Sequence, residues 1–345
     1  MNSRKVAQND RKGKSRSNER FDHYVALDWS MKVMAVAHMT KRSSEPRVFE
    51  RQPDLRELKE YLRGLNGRKA LAIEETTTAQ WLYLELVDHV DRIIICDPFR
   101  NRLLSDGPKT DKIDAGKLCL LLRAGLLKEV FHSSNDLYEL RRFVSAYEDL
   151  VKAGVRAQNQ KSCLEQAHGL TGAHAPFILE HLNKSIELYR SSKLEYERQF
   201  SEYSKRIPLV RNLTEVTGIG DIGAVKIVAV VVNAHRFPRA GNYLSYSGLV
   251  EHEKLSGQRS YGRRRPRFNH TLKTVYKLAA MSVISSKNNA LRAYYDYLLA
   301  NGTAEHNARH ALARYIARIT YGMLKSGKRY RPFHERSQVI ARQVA

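Results

Sequence analysis

From Leu137 to Tyr203 the chain carries no strand signal, and its apolar residues repeat at helical spacing. Leu137, Leu140, Val144, Tyr147 and Val151 step by 3, 4, 3 and 4. Beyond a break at Gly172 to Pro176, Leu179, Leu182, Ile186 and Tyr189 repeat the pattern, and Tyr196, Phe200 and Tyr203 extend it until Pro208 stops it. Such a repeat is a coiled-coil seam, because it keeps one stripe of each helix turned toward a partner. Two long helices around a Gly/Pro break make a hairpin that divides the chain into a part before it and a part after it. A hairpin closed on itself satisfies the pattern, and so does an arm that dimerises or spaces domains.

The two flanking parts read differently. Short β-type runs lie at 23–29, 32–39, 47–51, 69–75 and 92–96, with helical patterns at 55–65, 78–90 and 111–127. Three strands followed by alternating helix and strand predict an α/β layer on a mixed sheet. After Pro208 the text is helical, with a Gly-rich turn, an arginine-packed loop at 258–267, and further helices to about Leu324. The expected organisation is a disordered basic arm at 1–22, an α/β domain at 23–130, a helical hairpin at 131–207, a mostly helical domain at 208–333 and a tail at 334–345.

Charge points to the partner. Lysine and arginine number 59 against 36 acidic residues, so the net charge is 59 − 36 = +23. An excess of this size repels itself in a compact chain unless a polyanion neutralises it, and nucleic acid is the natural one. At 42% hydrophobic residues the chain holds too much apolar material for a disordered basic tail. The most apolar stretch, 222–232, is broken by Lys226 and is too short for a bilayer span, and no signal-peptide pattern follows the charged N-terminus. Cys96, Cys119 and Cys163 are few and far apart, which suits a reducing compartment and gives no metal-ligand spacing. No membrane partner is expected, and the cytoplasm is the expected location.

Four carboxylates stand out. Asp28 closes the first strand, and Glu74 shares one side of a later strand with Ala70 and Ala72. Asp111 and Asp114 are i, i+3 on one helix face. Oxygen ligands from two strand ends and a helix suit a pair of Mg²⁺ ions that hold the attacking and leaving oxygens of a phosphodiester. The plain alternative is that Thr110 is an N-cap and the two aspartates answer the helix dipole. Further along, Ser256 beside Gly257 precedes Arg259, Arg263, Arg264, Arg265 and Arg267. A hydroxyl there can attack a phosphate whose charge the guanidiniums neutralise, with Tyr261 as the competing nucleophile; alone, a Ser-Gly pair is a turn. Gly218 and Gly220, in a Thr-Gly-Ile-Gly turn before an apolar helix, resemble a helix-hairpin-helix turn that holds a DNA phosphate, or serve as a structural turn. His306 and His310 lack the glutamate of a zincin.

In chain order these pieces resemble the DEDD transposases of the insertion sequence 110 family, relatives of the Piv-type invertases. The resemblance is carried by Leu-Asp28-Trp-Ser-Met-Lys32, Ala-Ile-Glu74-Glu75, Lys109-Thr-Asp111-Lys-Ile-Asp114-Ala, Thr-Gly-Ile-Gly220, and Tyr-Ser-Gly-Leu249 with Leu-Ser256-Gly257. It implies a RuvC-like, RNase H-fold nuclease domain, a coiled-coil hairpin and a helical transposase domain. It further implies that Asp28, Glu74, Asp111 and Asp114 bind Mg²⁺, with Mn²⁺ as a substitute, and that Ser256 forms a covalent phosphoserine link to DNA. The implied partners are donor and target DNA, a non-coding bridge RNA and further copies of the chain, as a dimer or tetramer, in a bacterial, nucleoid-associated setting. Lys32 and Lys109 are expected to assist near the metal, and the arginines to position phosphate. The family's Ala-Thr-Gly after the glutamate is replaced by Glu75-Thr-Thr-Thr78, which makes Glu75 a rival ligand; the alanines on its strand face favour Glu74. Two rival readings are a RuvC-like junction nuclease that uses water, and a non-catalytic nucleic-acid-binding protein.

Overall fold

A computed structural model describes residues 20–98, 110–133, 137–166, 174–257, 259–264, 266–286 and 289–331. The expected arm and tail, Lys109 and Arg265 lie wholly or almost wholly outside these residues. The chain divides into two compact units, Met1–Asn135 and Asp136–Ala345.

The first unit is built on strands β1 (His23–Trp29), β2 (Met34–Thr40), β3 (Arg47–Arg51), β4 (Lys69–Glu74), β5 (Arg92–Cys96) and β6 (Glu129–Val130). They form one sheet in the order β3-β2-β1-β4-β5-β6. β1 runs parallel to β4, and β4 to β5, while β2, β3 and β6 join antiparallel. Helices α1 (Leu55–Gly64), α2 (Ala79–Leu86) and α3 (Asp111–Arg123) cover it. Because side chains alternate along a strand, the two faces have different characters. Val25, Leu27, Leu71, Ile73, Ile93 and Ile95 are buried with Leu58 and Leu62 of α1 and Leu82 and Leu86 of α2. Each such side chain contributes roughly 1.5–3 kcal/mol on burial. The other face carries Ala26, Ala35, Ala37, Ala70 and Ala72 against Ala115, Leu118, Cys119 and Leu122 of α3. Those alanines give up buried area and let α3 lie close.

Helix α3 stops sooner than the expected 111–127. Gly125 takes φ 67°, its N–H bonds the carbonyl of Leu122, and the N–H of Leu126 bonds that of Leu121. This pair of bonds ends a helix whatever apolar residues follow. The chain then enters β6, a strand the sequence reading did not contain, because two residues are too few to show alternation.

In the second unit α4 (Leu137–Gln166) and α5 (Ala175–Arg206) pair antiparallel. Phe143 and Tyr147 pack on Tyr196 and Phe200 with ring centroids 4.9–5.8 Å apart. Farther along, Gly154 sits under Tyr189. Short helices α6 (Pro208–Leu213), α7 (Asp221–Val231) and α8 (Ala240–Tyr246) follow. A hairpin of β7 (His252–Ser256) and β8 (Arg259–Arg264) precedes α9 (His270–Ser285), α10 (Ala290–Ala300) and α11 (Glu305–Ser326). Helix α7 is apolar all round because it is central, with seven of its residues buried. Leu140, Val144, Tyr147 and Phe200 of the hairpin belong to the same core. Lys226, which interrupts the apolar stretch, is answered there: its Nζ is 3.1 Å from Oε1 of Glu148, whose other oxygen accepts from the Thr271 hydroxyl at 2.8 Å. Among the described residues no helix is long and apolar enough to cross a membrane.

Candidate active site

The carboxylates converge at one end of the alanine-lined face. Asp28 follows Tyr24 and Ala26 on that side of β1, and Glu74 follows Ala70 and Ala72 on β4, one residue beyond the Leu27–Ile73 pair in parallel register. Thr110 caps α3 by accepting from the N–H of Ile113, and Asp111 and Asp114 occupy the first turn. The residues of α3 that pack on the sheet, Ala115, Leu118 and Leu122, continue the stripe that begins at Asp111 and Asp114. The cap and the convergence therefore coexist.

Electrostatics ties the four together. Burial pushes the Asp28 carboxyl up to about 6, and the charges of Asp111, Glu74 and Asp114 add to the shift. Oδ1 of Asp114 is buried and has no hydrogen-bond partner among the described residues. A buried carboxylate oxygen with unused lone pairs is costly unless something positive meets it. Four hard oxygen donors, one of them orphaned in this way, fit a divalent cation such as Mg²⁺. Among the described residues no group of three or more His, Cys, Asp or Glu side chains is arranged to hold a metal ion. Cys96 pairs with Glu74 in the β4–β5 register; burial first, and Glu74 next, pushes its thiol up to about 12, which keeps it neutral.

Beside this cluster lies a group the sequence reading missed. Glu75 Oε2 is 2.6 Å from Nε2 of His132, whose Nδ1 is 2.7 Å from Oε1 of Gln80. Gln80 in turn donates from Nε2 to the carbonyl of Ser133 at 2.9 Å. Nothing in the spacing signals this, since His132 stands 57 residues from Glu75. Lys32 is exposed in the β1–β2 turn, where the Ser30 hydroxyl accepts from the N–H groups of Lys32 and Val33.

The second unit holds the other candidates. The sequence reading had an arginine loop; the structure has a hairpin. Ser256 ends β7 and pairs with Arg259, and Gly257 follows it at φ 54°. Between the Glu253–Arg263 and Leu255–Ser260 pairs, Lys254 faces two residues, and Gly262 takes up that bulge at φ 105°. Ser256, Arg259, Tyr261, Arg263 and Arg264 are all exposed. Gly218, at φ 90°, has a packing reason: a Cβ there would lie 2.5 Å from the carbonyl oxygen of Ala279. Gly220 is exposed at the N-terminus of α7, with open space where a Cβ would be. His310 is held below its ordinary pKa by burial and by Lys277, Arg314, His306 and Lys273, a cationic surrounding unsuited to a metal.

Comparison with known proteins matches both units. A family model for DEDD transposases of IS110 type, described as a transposase, covers residues 25–168. A second, described as transposase IS116/IS110/IS902 family, covers residues 210–296. The chain is 29% identical over 154 residues to the insertion element IS110 uncharacterized 43.6 kDa protein of Streptomyces coelicolor. That alignment takes in 44% of this chain and spans 38% of the relative's length.

Proposed function

Because the chain belongs to the IS110 family of DEDD transposases, we propose that it is a DNA recombinase that excises and inserts an insertion element. In this reading a bridge-type non-coding RNA guides it to donor and target DNA. The observation that carries the proposal is the meeting of Asp28, Glu74, Asp111 and Asp114 at one end of the alanine face, inside the region matched to the DEDD transposases. The sheet order β3-β2-β1-β4-β5, with β2 antiparallel, supports a RuvC-like RNase H fold around that site.

Mg²⁺, or Mn²⁺ in its place, is the group we assign to the four carboxylates; when bound it supplies neutralisation of the charge that builds on a phosphodiester. Ser256 is the nucleophile. Its Oγ forms a bond to phosphorus as the bond from phosphorus to a deoxyribose oxygen breaks; the serine proton departs to a base and the leaving oxygen takes up a proton. Ser256 stands at an exposed hairpin end, and Arg259, Arg263 and Arg264 on the adjoining strand are suited to grip the flanking phosphates. Delegating sequence choice to base pairing accords with a basic surface that carries no evident base-reading motif. The paired helices α4 and α5 leave Leu188 and Leu194 more than half exposed, which suits a homo-oligomeric role as dimer or tetramer.

The test is recombination of donor and target plasmids by the purified protein with Mg²⁺ and the transcript flanking its gene. Ser256→Ala and Asp114→Ala are both expected to abolish recombination, and a denaturant-resistant protein–DNA adduct is expected to depend on Ser256. Cleavage that survives Ser256→Ala would leave a metal nuclease that uses water.

A further inference from the structure

We infer that Glu75, His132 and Gln80 form a positioning strap that aims Glu74 at the metal and keeps Glu75 away from it; the inference rests on the metal set proposed above. Neighbouring residues on a strand point to opposite faces, and Glu75 continues the β4 ladder, its N–H donating to the carbonyl of Cys96 at 3.0 Å. If Glu74 turns to the alanine face and α3, Glu75 turns to the face covered by α2. Gln80 belongs to α2, and so does Tyr83, whose ring lies 5.9 Å from that of His132. Holding Glu75 on the α2 side therefore holds Glu74 on the other.

The hydrogen bonds make the strap directional. Gln80 is 8% exposed, and its amide donates to the Ser133 carbonyl. Its oxygen must then face His132 and accept from Nδ1–H. On the other side of the ring, Nε2 lies 2.6 Å from Oε2 of Glu75. The ring is held between the two, and its side chain is 5% exposed against 39% for Glu75. The carboxylate nearest to competing with Glu74 is thereby committed to a ring that is itself held in place by Gln80 and Tyr83. His132 reaches this place because β6 pairs with β5 and the Asp97 N–H bonds the carbonyl of Lys128, which returns the chain along the sheet edge. A strap of this kind suits a site whose neighbour to the glutamate is a second glutamate.

The experiment is Mn²⁺ binding to the full-length protein, followed by loss of the free-ion electron paramagnetic resonance signal, with folding checked by circular dichroism. Partners that orient metal ligands typically carry 10–100-fold in affinity. His132→Ala and Glu75→Ala are expected each to weaken binding about tenfold, and the double variant no more than either alone, because they cut one strap. Glu75→Gln, whose amide oxygen still accepts from His132, is expected to recover most of what Glu75→Ala loses. His132→Gln, a milder change, covers the case in which alanine fails to fold and is expected to weaken binding in the same direction. The strap is overturned if both His132 variants bind Mn²⁺ as wild type does, or if Glu75→Gln loses as much as Glu74→Gln, which would make Glu75 a ligand. Unchanged binding in Asp28→Asn and Glu74→Gln would remove the metal site itself and the strap's role with it.

Discussion

Asp28 shows what the site costs the fold. Unfolded, it titrates at its ordinary 3.8; folded, burial and three neighbouring carboxylates place it near 6. The folded protein thus holds this proton more tightly, so Asp28's contribution to stability is greatest below pH 3.8 and is lost as pH rises through about 6. Asp28→Asn removes that cost. In chelator-treated protein the variant is expected to unfold at a higher temperature than wild type above pH 6, with the gap closing near pH 4 while recombination is lost. The gain is about 1 kcal/mol, below the roughly 3 kcal/mol of an unscreened shift of this size, because solvent reaches the group. Thermal melts across pH decide it: equal melting at pH 8 would mean that neither burial nor the neighbouring carboxylates raise the Asp28 carboxyl. His132 makes the complementary point. Its role depends on which atoms meet across a long stretch of sequence, and no spacing rule could have picked it out.

Among the elements, the pair α4 and α5 has a packed stripe and an outward face. Phe200 is fully buried against Phe143 and Tyr147, whereas Leu188 on the same helix is 63% exposed. Phe200→Ala is expected to cost about 3–5 kcal/mol of unfolding free energy, by lost burial and a cavity, and Leu188→Ala less than about 0.5. Denaturant titration of the two variants measures this; equal losses would mean that Leu188 is buried in solution as well. The heptad steps placed both helices well, because a long periodic signal averages over its exceptions. The β7–β8 hairpin left no such trace: with both faces in solvent there is no apolar alternation to read, and the strands follow from Gly257 and Gly262 instead.

For the whole molecule the governing quantity is charge. A net +23 is a reservoir of phosphate contacts, and each phosphate neutralised on duplex DNA adds about 0.9 to the slope of log affinity against log salt. Replacing Arg259, Arg263 and Arg264 together with glutamine is expected to lower that slope by about 2–3 if the hairpin grips the backbone. Fluorescence anisotropy with a duplex over a range of KCl concentrations reads it directly, and an unchanged slope would place the hairpin away from phosphate.

Much of this protein is local physics and was open to reading in the text. The strand runs at 23–29, 47–51 and 92–96, the N-cap at Thr110 and the alanine side of β4 each depend on residues close in sequence. So do the two long helices, whose propensity and pattern agree along their length. Only the tertiary structure decided what lies beside what. It ended α3 at a glycine cap, drew Glu148, Lys226 and Thr271 together, and gave Glu75 a buried histidine for a partner. Hydrogen bonds and ion pairs act over a few ångströms of space, and a chain brings its distant residues that close only once its core has packed.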